Sequence, residues 1–130
     1  MIISIDKRFP GHAKKVMSSI WGFGQMMFSK YVIVVDKEVD VQDLSQVAFH
    51  VFNDTDPKRD MMFADGPLDA LDHATPMWAY GSKVGIDATK KWPSEGFERD
   101  WPDEIFMDKA TMAQVDKRWN DYFPQSLTRV

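Results

Sequence analysis

The chain has 130 residues, which is enough for one domain with its own hydrophobic core and too few for two. The net charge of −4 argues against a basic, phosphate-binding surface, so we expect no nucleic-acid partner. The absence of cysteine excludes disulfides and thiolate metal sites, and it is compatible with the cytoplasmic location that we expect. No run approaches the roughly 18 apolar residues of a membrane span, so no span is expected.

The first predicted elements are a strand, a helix and a second strand. Ile2–Ile5 is a short β-branched run typical of a strand. A helix is predicted from Ala13 to about Met27, after Pro10, which suits a first helical turn. Its apolar residues recur at steps of three and four, at Val16, Ile20, Phe23 and Met27. Tyr31–Asp36 is apolar at consecutive positions, which indicates a strand buried on both faces of a parallel sheet.

The start of a second helix is well marked. Asp43 can cap it, and Gln46, three residues on, completes a capping-box pattern. Its apolar stripe consists of Leu44, Val47, Ala48 and Val51. Pro57, within the turn-forming run Asn53–Asp60, is predicted to end the helix. Met61–Ala64 is then predicted to form a third strand.

The second half of the chain is less regular. Asp65–Tyr80 lacks periodicity and is predicted to form a long loop, which in a compact domain is more often functional than accidental. Lys83–Ala88 is predicted to form a fourth strand, and the aromatic run 90–105 is expected to lie over the surface. A last helix is predicted from about Asp108. Its apolar stripe consists of Met112, Val115, Trp119 and Tyr122.

Strands that alternate with helices predict an α/β fold. We expect a single three-layer domain with a mostly parallel sheet of about four strands flanked by helices. Ligands of such sheets bind beyond the carboxyl ends of the strands. In this chain those ends lead into Asp6–Arg8, Asp36–Glu38, the loop after Asp65, and Asp87–Lys91. The fold argument locates a site without naming a reaction.

Acidic and histidine residues give weak signals for chemistry. Four of them lie close together in the predicted loop: Asp65, Asp69, Asp72 and His73. Their spacing matches no calcium loop and no zinc motif, so turn formation is favoured over a metal site, and no metal ligands are predicted. His12 and His50 are isolated and are interpreted as surface or satisfied core residues. No G-x-S-x-G and no phosphate-loop pattern occurs.

Two features of the sequence leave alternatives open. Lys14 and Lys15 lie in the first turns of a predicted helix, where the macrodipole disfavours cations. They are either solvated charges or contacts for an anionic or carbonyl-bearing ligand. The nine methionines and five tryptophans indicate either a methionine-rich core or an exposed apolar face. An exposed face would favour self-association.

Several segments, taken in order, carry a resemblance to a known family. They are ISIDKRFPGHAKKVM, IWGFGQMMFSKYVIVVDKEVDV, DPKRD, PLDALDHATP and GSKVGIDATKKWP. From Ile2 to about Trp101 the chain resembles the closing segment of UbiD-type decarboxylases, which include the polyprenyl-hydroxybenzoate decarboxylases of ubiquinone synthesis. The resemblance implies that residues 1–130 form one C-terminal domain, and that the flavin-binding catalytic domains lie upstream, outside this chain.

The resemblance also implies a chemistry. Family members bind prenylated FMN with Mn²⁺ and K⁺ mainly through the upstream domains, which also carry the proton-transfer residues. No catalytic residue is therefore expected in this chain, and alone it is not expected to decarboxylate anything. The implied reaction is loss of CO₂ from a small aromatic or α,β-unsaturated acid, in which the cofactor acts as the electron sink. The implied partners are the upstream domains, the acid and further copies in a homo-oligomer.

The resemblance places site residues at five positions. Lys15 matches a flavin-contacting lysine of one branch of the family, and Lys14 shares its KKV motif. Trp21 matches a pocket-lining aromatic residue, and the loop that supplies apolar substrate contacts falls near Pro67 and Leu68. A flat aromatic acid needs apolar walls of this kind. The segment GSKVGIDATKKWP is interpreted as mainly structural.

Together these observations predict the C-terminal domain of a carboxy-lyase, with lid, substrate-pocket and oligomerisation roles. The expected substrate is an aromatic or polyprenylated hydroxybenzoate-like acid of quinone biosynthesis, and GPLDALDHATP is closer to the menaquinone branch than to the ubiquinone branch. The alternative is a non-catalytic assembly module that is inactive by itself.

Overall fold

The computed structural model describes residues 1–124. The strands are β1 (Ile2–Ile5), β2 (Tyr31–Asp36), β3 (Met61–Pro67) and β4 (Tyr80–Ala88). The α-helices are α1 (His12–Trp21), α2 (Leu44–Asp54), α3 (Pro57–Asp60), α4 (Lys109–Lys117) and α5 (Trp119–Tyr122), and 3-10 turns occupy Gly24–Phe28 and Pro93–Glu95. The helices within these residues all fall short of the length and apolarity needed to cross a bilayer.

The four strands form one sheet in the order β1-β2-β4-β3. β2 is central and pairs in parallel with β1 and β4, as its unbroken apolar run predicts. β3 is antiparallel to β4, with Met61 opposite Ile86 and Pro67 opposite Tyr80. We call the end of the sheet at which β1, β2 and β4 finish the carboxyl edge, and the opposite end the amino edge.

Helices cover both faces of the sheet, which confirms the three-layer α/β prediction. α1 packs on one face, where a cluster of fully buried side chains consists of Ala13, Met17, Val32 and Val34. α2 packs on the other face over a second cluster, which consists of Val35, Val39, Val47 and Ala88. Because alternate residues of a strand point to opposite faces, neighbouring valines of β2 supply both clusters.

Glycines in β4 allow the α1 layer to approach the sheet closely. A Cβ atom at Gly85 would lie 2.5 Å from Sδ of Met17, and one at Gly81 would lie 3.0 Å from Cδ1 of Leu68. Real side chains do not tolerate such separations. The two glycines lie on the same face of β4. α1 and the loop after β3 therefore both pack closely on the sheet at a residue without a side chain.

Several predicted boundaries are wrong. The first helix ends at Trp21 and not near Met27, because Gly22 caps it and Gly24 takes a positive φ of 46°. β3 extends to Pro67 and β4 begins at Tyr80, so the predicted loop from Asp65 shortens to residues 68–79.

Two further local predictions change in detail. Pro57 does not merely end a helix, because it also opens α3, which Asp56 caps by accepting from Lys58 N and Arg59 N. Asp43 caps α2 as predicted, but the Gln46 side chain accepts a hydrogen bond from Asp40 N and does not close a capping box with Asp43. The predicted start of the last helix at Asp108 is confirmed, since the Asp108 carboxylate accepts from Thr111 N.

Candidate functional site

The start of α1 lies at the carboxyl edge and carries two lysines. Gly11 precedes the helix with a positive φ of 76°, and no side chain caps the helix N-terminus. The first turn contains no acidic residue. The first turn of a helix leaves backbone N–H groups without helical partners, and the macrodipole adds a partial positive charge there. This end of α1 therefore has the polarity that an anion requires.

The two lysines differ in their contacts. Lys14 and Lys15 are both exposed. Lys14 Nζ donates to the Arg59 carbonyl at 3.2 Å, which ties it to α3. Lys15 Nζ lies 5.6 Å from the centre of the Phe9 ring, and the Phe9 ring stacks on His12 at 4.3 Å. Lys15 thus makes a weak cation–π contact and keeps its ammonium protons available, whereas Lys14 already has an acceptor.

A buried charge network lies beneath these lysines. The Lys91 side chain is 2% exposed, and its Nζ lies 3.2 Å from Asp87 Oδ1 and 3.8 Å from Asp60 Oδ1. It also donates to the carbonyls of Asp87 and Thr89 at 2.8 and 2.5 Å. Arg59 donates to both carboxylate oxygens of Asp60, at 2.8 and 2.7 Å, and this pairing raises the pKa of Arg59 above its ordinary value. Every charge in the network has a partner, as burial demands.

Glu95 connects Lys7, Trp92 and Gly11 at the carboxyl edge. Its Oε2 lies 2.5 Å from Lys7 Nζ and accepts from Trp92 N at 3.0 Å, while its Oε1 accepts from Gly11 N at 3.2 Å. Burial acts to raise the pKa of Glu95, but the hydrogen bonds from Lys7, Trp92 and Gly11 outweigh it and hold the pKa below its ordinary value. A cleft of about 320 Å³ lies between these groups, lined among others by Gly11, Lys14, Arg59, Asp60, Lys91 and Glu95.

The predicted pocket residues lie nearer the amino edge. The half-buried Trp21 donates from Nε1 to the Ser29 carbonyl at 2.8 Å, and its ring packs over Gly85. Leu68 is only 1% exposed and packs over Gly81, whereas Pro67 is exposed. Trp21 and Leu68 therefore belong to the packing of this domain in the described conformation, and their contact with a substrate stays a prediction.

The structure thus divides the predicted site between the two ends of α1. The helix has ten residues and is about 15 Å long, with Lys14 and Lys15 at its start and Trp21 at its end. The loop 68–79 is also at the amino edge, because β3 is antiparallel to β4. The expectation that this loop joins the other strand ends at a common edge is therefore wrong. Lys30 pairs with Asp72 at 2.7 Å, which holds the loop beside the start of β2.

Asp69, Asp72 and His50 have structural partners, whereas the buried Nδ1 of His12 lacks a hydrogen-bond partner among the described residues, so the expectation of a satisfied residue is wrong for His12. The carboxylates of Asp69 and Asp72 accept from Leu71 N and Ala74 N, which confirms the turn interpretation. His50 is buried, with Nδ1 2.7 Å from Asp54 Oδ2, as expected for a satisfied core histidine. Within residues 1–124 no three His, Asp or Glu side chains come together in a way that would hold a metal ion.

Sequence reasoning missed most of the charge network. Asp60, Asp87 and Lys91 are far apart or unremarkable in sequence, and only the fold brings them together. The structural interpretation of GSKVGIDATKKWP was correct, since Lys83, Asp87, Thr89 and Lys91 are all buried there. Lys83 donates to the Met27 carbonyl, and burial lowers the pKa of Lys83. The sequence signal for this segment was a run of polar residues that continues strand β4. Such a run does not show which residues its side chains contact.

Comparison with known proteins identifies the class to which this arrangement belongs. Residues 1–88 match the family model of the UbiD 3-octaprenyl-4-hydroxybenzoate carboxy-lyase C-terminal domain. The chain therefore belongs to the UbiD carboxy-lyase family, as its C-terminal domain. An uncharacterized protein of Archaeoglobus fulgidus is 48% identical over 121 residues, which are 92% of this chain and 25% of that protein. An uncharacterized protein of Aquifex aeolicus is 42% identical over 118 residues, 91% of this chain and 24% of that protein.

Solved structures agree with this assignment. The closed form of Sedimentibacter hydroxybenzoicus vanillic acid decarboxylase is similar with a TM-score of 0.76 and 29% identity, over 95% of this chain and 26% of that one. The UbiD-class enzyme HmfF of Pelotomaculum thermopropionicum in complex with FMN gives a TM-score of 0.66 and 29% identity, over 94% and 25%. The chain spans about a quarter of the length of the relatives that it matches.

Proposed function

We propose that this chain is the cover domain of a prenylated-FMN-dependent carboxy-lyase, and that the start of α1 faces an anionic part of the flavin. The observation that carries the proposal is the uncapped N-terminus of α1, which has Lys14 and Lys15 beside it and no acidic residue in its first turn. Lys15 is the residue assigned to direct contact, because among residues 1–124 its ammonium group has no acceptor comparable to the Arg59 carbonyl that holds Lys14.

The residues present fit a flavin phosphate better than they fit a metal. A helix N-terminus and an exposed lysine are the groups that bind phosphate oxygens. When bound, prenylated FMN would supply the electron sink for loss of CO₂, and Mn²⁺ and K⁺ would be held by residues of the upstream domains. This chain would bind the anion and exclude water from the flavin. HmfF, which has been solved with FMN and in an evolved dimeric form with prFMN, supports this choice of cofactor.

We assign the substrate to the aromatic or polyprenylated hydroxybenzoate-like acids of quinone biosynthesis. Trp21, Pro67 and Leu68 would form an apolar wall for the ring of such an acid. The enclosure of Leu68 implies that it backs the wall, whereas the exposed Pro67 would touch the ligand. Vanillic acid decarboxylase acts on an aromatic acid and has been solved in open and closed forms, which supports both the substrate class and a cover that moves.

A second candidate function is assembly, and one feature of the surface favours it. We call residues 103–124 the C-terminal arm. Among the described elements, α4 makes its main contact with α5 and does not pack extensively on the sheet. The arm exposes a set of large apolar side chains: Ile105, Phe106, Met107, Met112, Trp119, Tyr122 and Phe123. Ile105 is 99% exposed and Phe106 is 79% exposed, so nothing in this domain buries them.

The partner that we assign to the arm is a second copy of this chain. Side chains of this size expose on the order of 100 Å² each, or roughly 700 Å² together, close to the ~800 Å² per partner of a stable interface. The exposed Phe49 of α2 lies next to the point where the arm leaves the domain, since Phe49 and Ile105 line one cleft. A twofold exchange of arms would cover both surfaces. Light scattering should detect a dimer that Phe106→Glu with Trp119→Glu dissociates and Lys117→Glu does not; a monomer at high concentration would contradict the assignment.

The cofactor proposal is tested in a hybrid enzyme. The matching quarter of the Archaeoglobus fulgidus relative is replaced by this chain, and retention of prenylated FMN and release of CO₂ are measured. We expect Lys15→Ala to weaken flavin binding about tenfold, the value of one hydrogen bond to a charged group. Lys58→Ala removes the same charge from the exposed α3 and serves as the matched control. Unchanged flavin retention and CO₂ release in Lys15→Ala would show that Lys15 has no cofactor role.

A further inference from the structure

Glu95 is the one carboxylate that reaches the start of α1 among the described contacts of that turn. Its Oε1 accepts from Gly11 N at 3.2 Å, and Gly11 is the residue that precedes the helix with a φ of 76°. Its Oε2 accepts from Trp92 N at 3.0 Å, so the same side chain fixes the 3-10 turn Pro93–Glu95. One carboxylate therefore joins two backbone segments that are 84 residues apart in sequence.

A carboxylate in this position would normally work against an anion site. It lies at the positive end of α1, where it would compete with an anionic ligand for the same partial charge. Lys7 removes this conflict. Its ammonium group lies 2.5 Å from Glu95 Oε2, also donates to the Lys90 carbonyl at 2.6 Å, and the two side chains are only 3% and 11% exposed. The Glu95–Lys7 pair is thus close to neutral, and Lys14 and Lys15 keep their charge for a ligand.

The backbone of Gly11 explains why such an anchor is needed. Glycine adopts positive φ without strain, but it also loses more conformational freedom on folding than any other residue. The burial of Ala13 and Met17 holds α1 on the sheet, and the conformation of Gly11 sets how the backbone enters the first turn of α1, which carries Lys15. The hydrogen bond from Gly11 N to Glu95 restricts the conformational freedom of Gly11. The segment that carries Glu95 is itself held in place by the buried Lys91.

We propose that Glu95 is a positioning residue for the anion-facing end of α1: through Gly11 it sets where Lys15 and the first helical N–H groups lie, while Lys7 neutralises its charge. The inference rests on the cofactor contact proposed above and adds a residue that does not touch the flavin. If Glu95 only stabilised the fold, its substitution would cost no more in the free energy of flavin binding than in the free energy of unfolding.

Two double variants separate the hydrogen bond to Gly11 from the charge. Lys7→Met with Glu95→Gln removes both charges but keeps an amide oxygen that can accept from Gly11 N. Lys7→Met with Glu95→Leu removes both charges and the acceptor. In the hybrid enzyme we expect the leucine variant to bind FMN about tenfold more weakly than the glutamine variant, the effect of one lost hydrogen bond. The Gly11 amide should also exchange with solvent faster in the leucine variant.

A third variant covers the case in which the leucine variant does not fold. Glu95→Asp keeps the charge and shortens the side chain by one methylene group, which draws the carboxylate away from Gly11. We expect several-fold weaker FMN binding and a lower melting temperature, because the shorter side chain also moves away from Lys7 and Trp92 N. The exposed Glu98→Asp should change neither. Equal FMN affinity in the two double variants, or in Glu95→Asp and the parent, would overturn the positioning role.

Lys15→Ala in the same series distinguishes the two ways of failing. If Lys15→Ala loses the flavin and the Glu95 variants keep it, the inference on Glu95 is wrong and the cofactor proposal stands. If Lys15→Ala keeps the flavin, the cofactor proposal itself is wrong, whatever the Glu95 variants do.

Discussion

At the carboxyl edge of the sheet the buried contacts join charges, whereas toward the amino edge apolar side chains pack on glycines and the Lys30–Asp72 ion pair is less buried. Lys91 and Glu95 each bring separate segments together through hydrogen bonds. Trp21 and Leu68 instead pack flat against Gly85 and Gly81. The charged edge holds its backbone firmly and leaves lysines free, while the apolar edge uses its large side chains for its own packing. This difference is the reason why we propose the flavin contact at the carboxyl edge, at Lys15.

The largest expected effect follows from removing the central charge of the network. Lys91→Met leaves the carboxylates of Asp60 and Asp87 buried without their shared cation. Breaking a buried ion pair from one side costs about 3–5 kcal/mol in the free energy of unfolding. Urea denaturation should show this loss, and Lys90→Met, at the exposed neighbouring position, should change stability by less than about 0.5 kcal/mol. Equal stabilities would show that the edge is not held by its charges.

The amino edge should respond to a lost ring. Trp21→Ala removes a half-buried indole that packs over Gly85 and donates to the Ser29 carbonyl. We expect a loss of about 2 kcal/mol, roughly half that of a fully buried aromatic ring. The family resemblance implies that Trp21 lines the acid pocket, so its loss should also alter which acids are accepted. Thermal unfolding and acid selectivity, measured on the same hybrid, decide this: loss of stability with unchanged selectivity would make the ring purely structural.

Acid should weaken the carboxyl edge through Glu95. Its pKa is held below the ordinary value of 4.5, so its contribution to stability is present above about pH 4.5 and is lost as the pH falls through the folded-state pKa. The pKa of Asp36 is shifted in the opposite direction: burial raises this pKa, although Lys90 N donates a hydrogen bond to the carboxylate. In Glu95→Gln the free energy of unfolding should fall less steeply below pH 4.5 than in the parent. If the free energy of unfolding of Glu95→Gln had the same dependence on pH as the parent, the assignment of this effect to Glu95 would be wrong.

The smallest effect on folding is expected at Lys15. Its side chain is exposed and makes a weak contact with the Phe9 ring, so Lys15→Ala should leave the free energy of unfolding within about 0.5 kcal/mol of the parent. Denaturation curves of the two chains should therefore superimpose while their flavin affinities differ. A clear loss of stability would show that Lys15 supports the fold.

Local patterns predicted the elements of this domain well and their contacts poorly. The apolar run of β2 implied a central parallel strand, and Asp43 and Asp108 marked the starts of two helices. The antiparallel direction of β3 was missed, although the non-helical loop between β3 and β4 favours it, since parallel neighbours usually need a helical crossover. The pairing of Lys91 with Asp60 was missed as well, because it depends on β4 and α3 meeting at one edge.

The residues of the candidate site show the same difference between features that a local pattern predicts and contacts that depend on the assembled fold. Lys14 and Lys15 were identified from their place at a helix start, strengthened by family resemblance, and their geometry at an uncapped helix fits that interpretation. Their role in binding the flavin stays a prediction. Glu95 had no signal in the sequence, since its partners Lys7 and Gly11 lie at the other end of the domain.

The measurement that tests the account most directly is a titration of this chain with FMN, followed by the chemical shifts of its backbone amides. If the start of α1 faces the cofactor, the largest shifts will fall on Gly11, Ala13, Lys14 and Lys15 at the carboxyl edge, and Lys15→Ala will reduce them. Shifts that instead centre on Trp21, or that occur equally over the whole surface, would contradict the claim that this domain meets the flavin through α1.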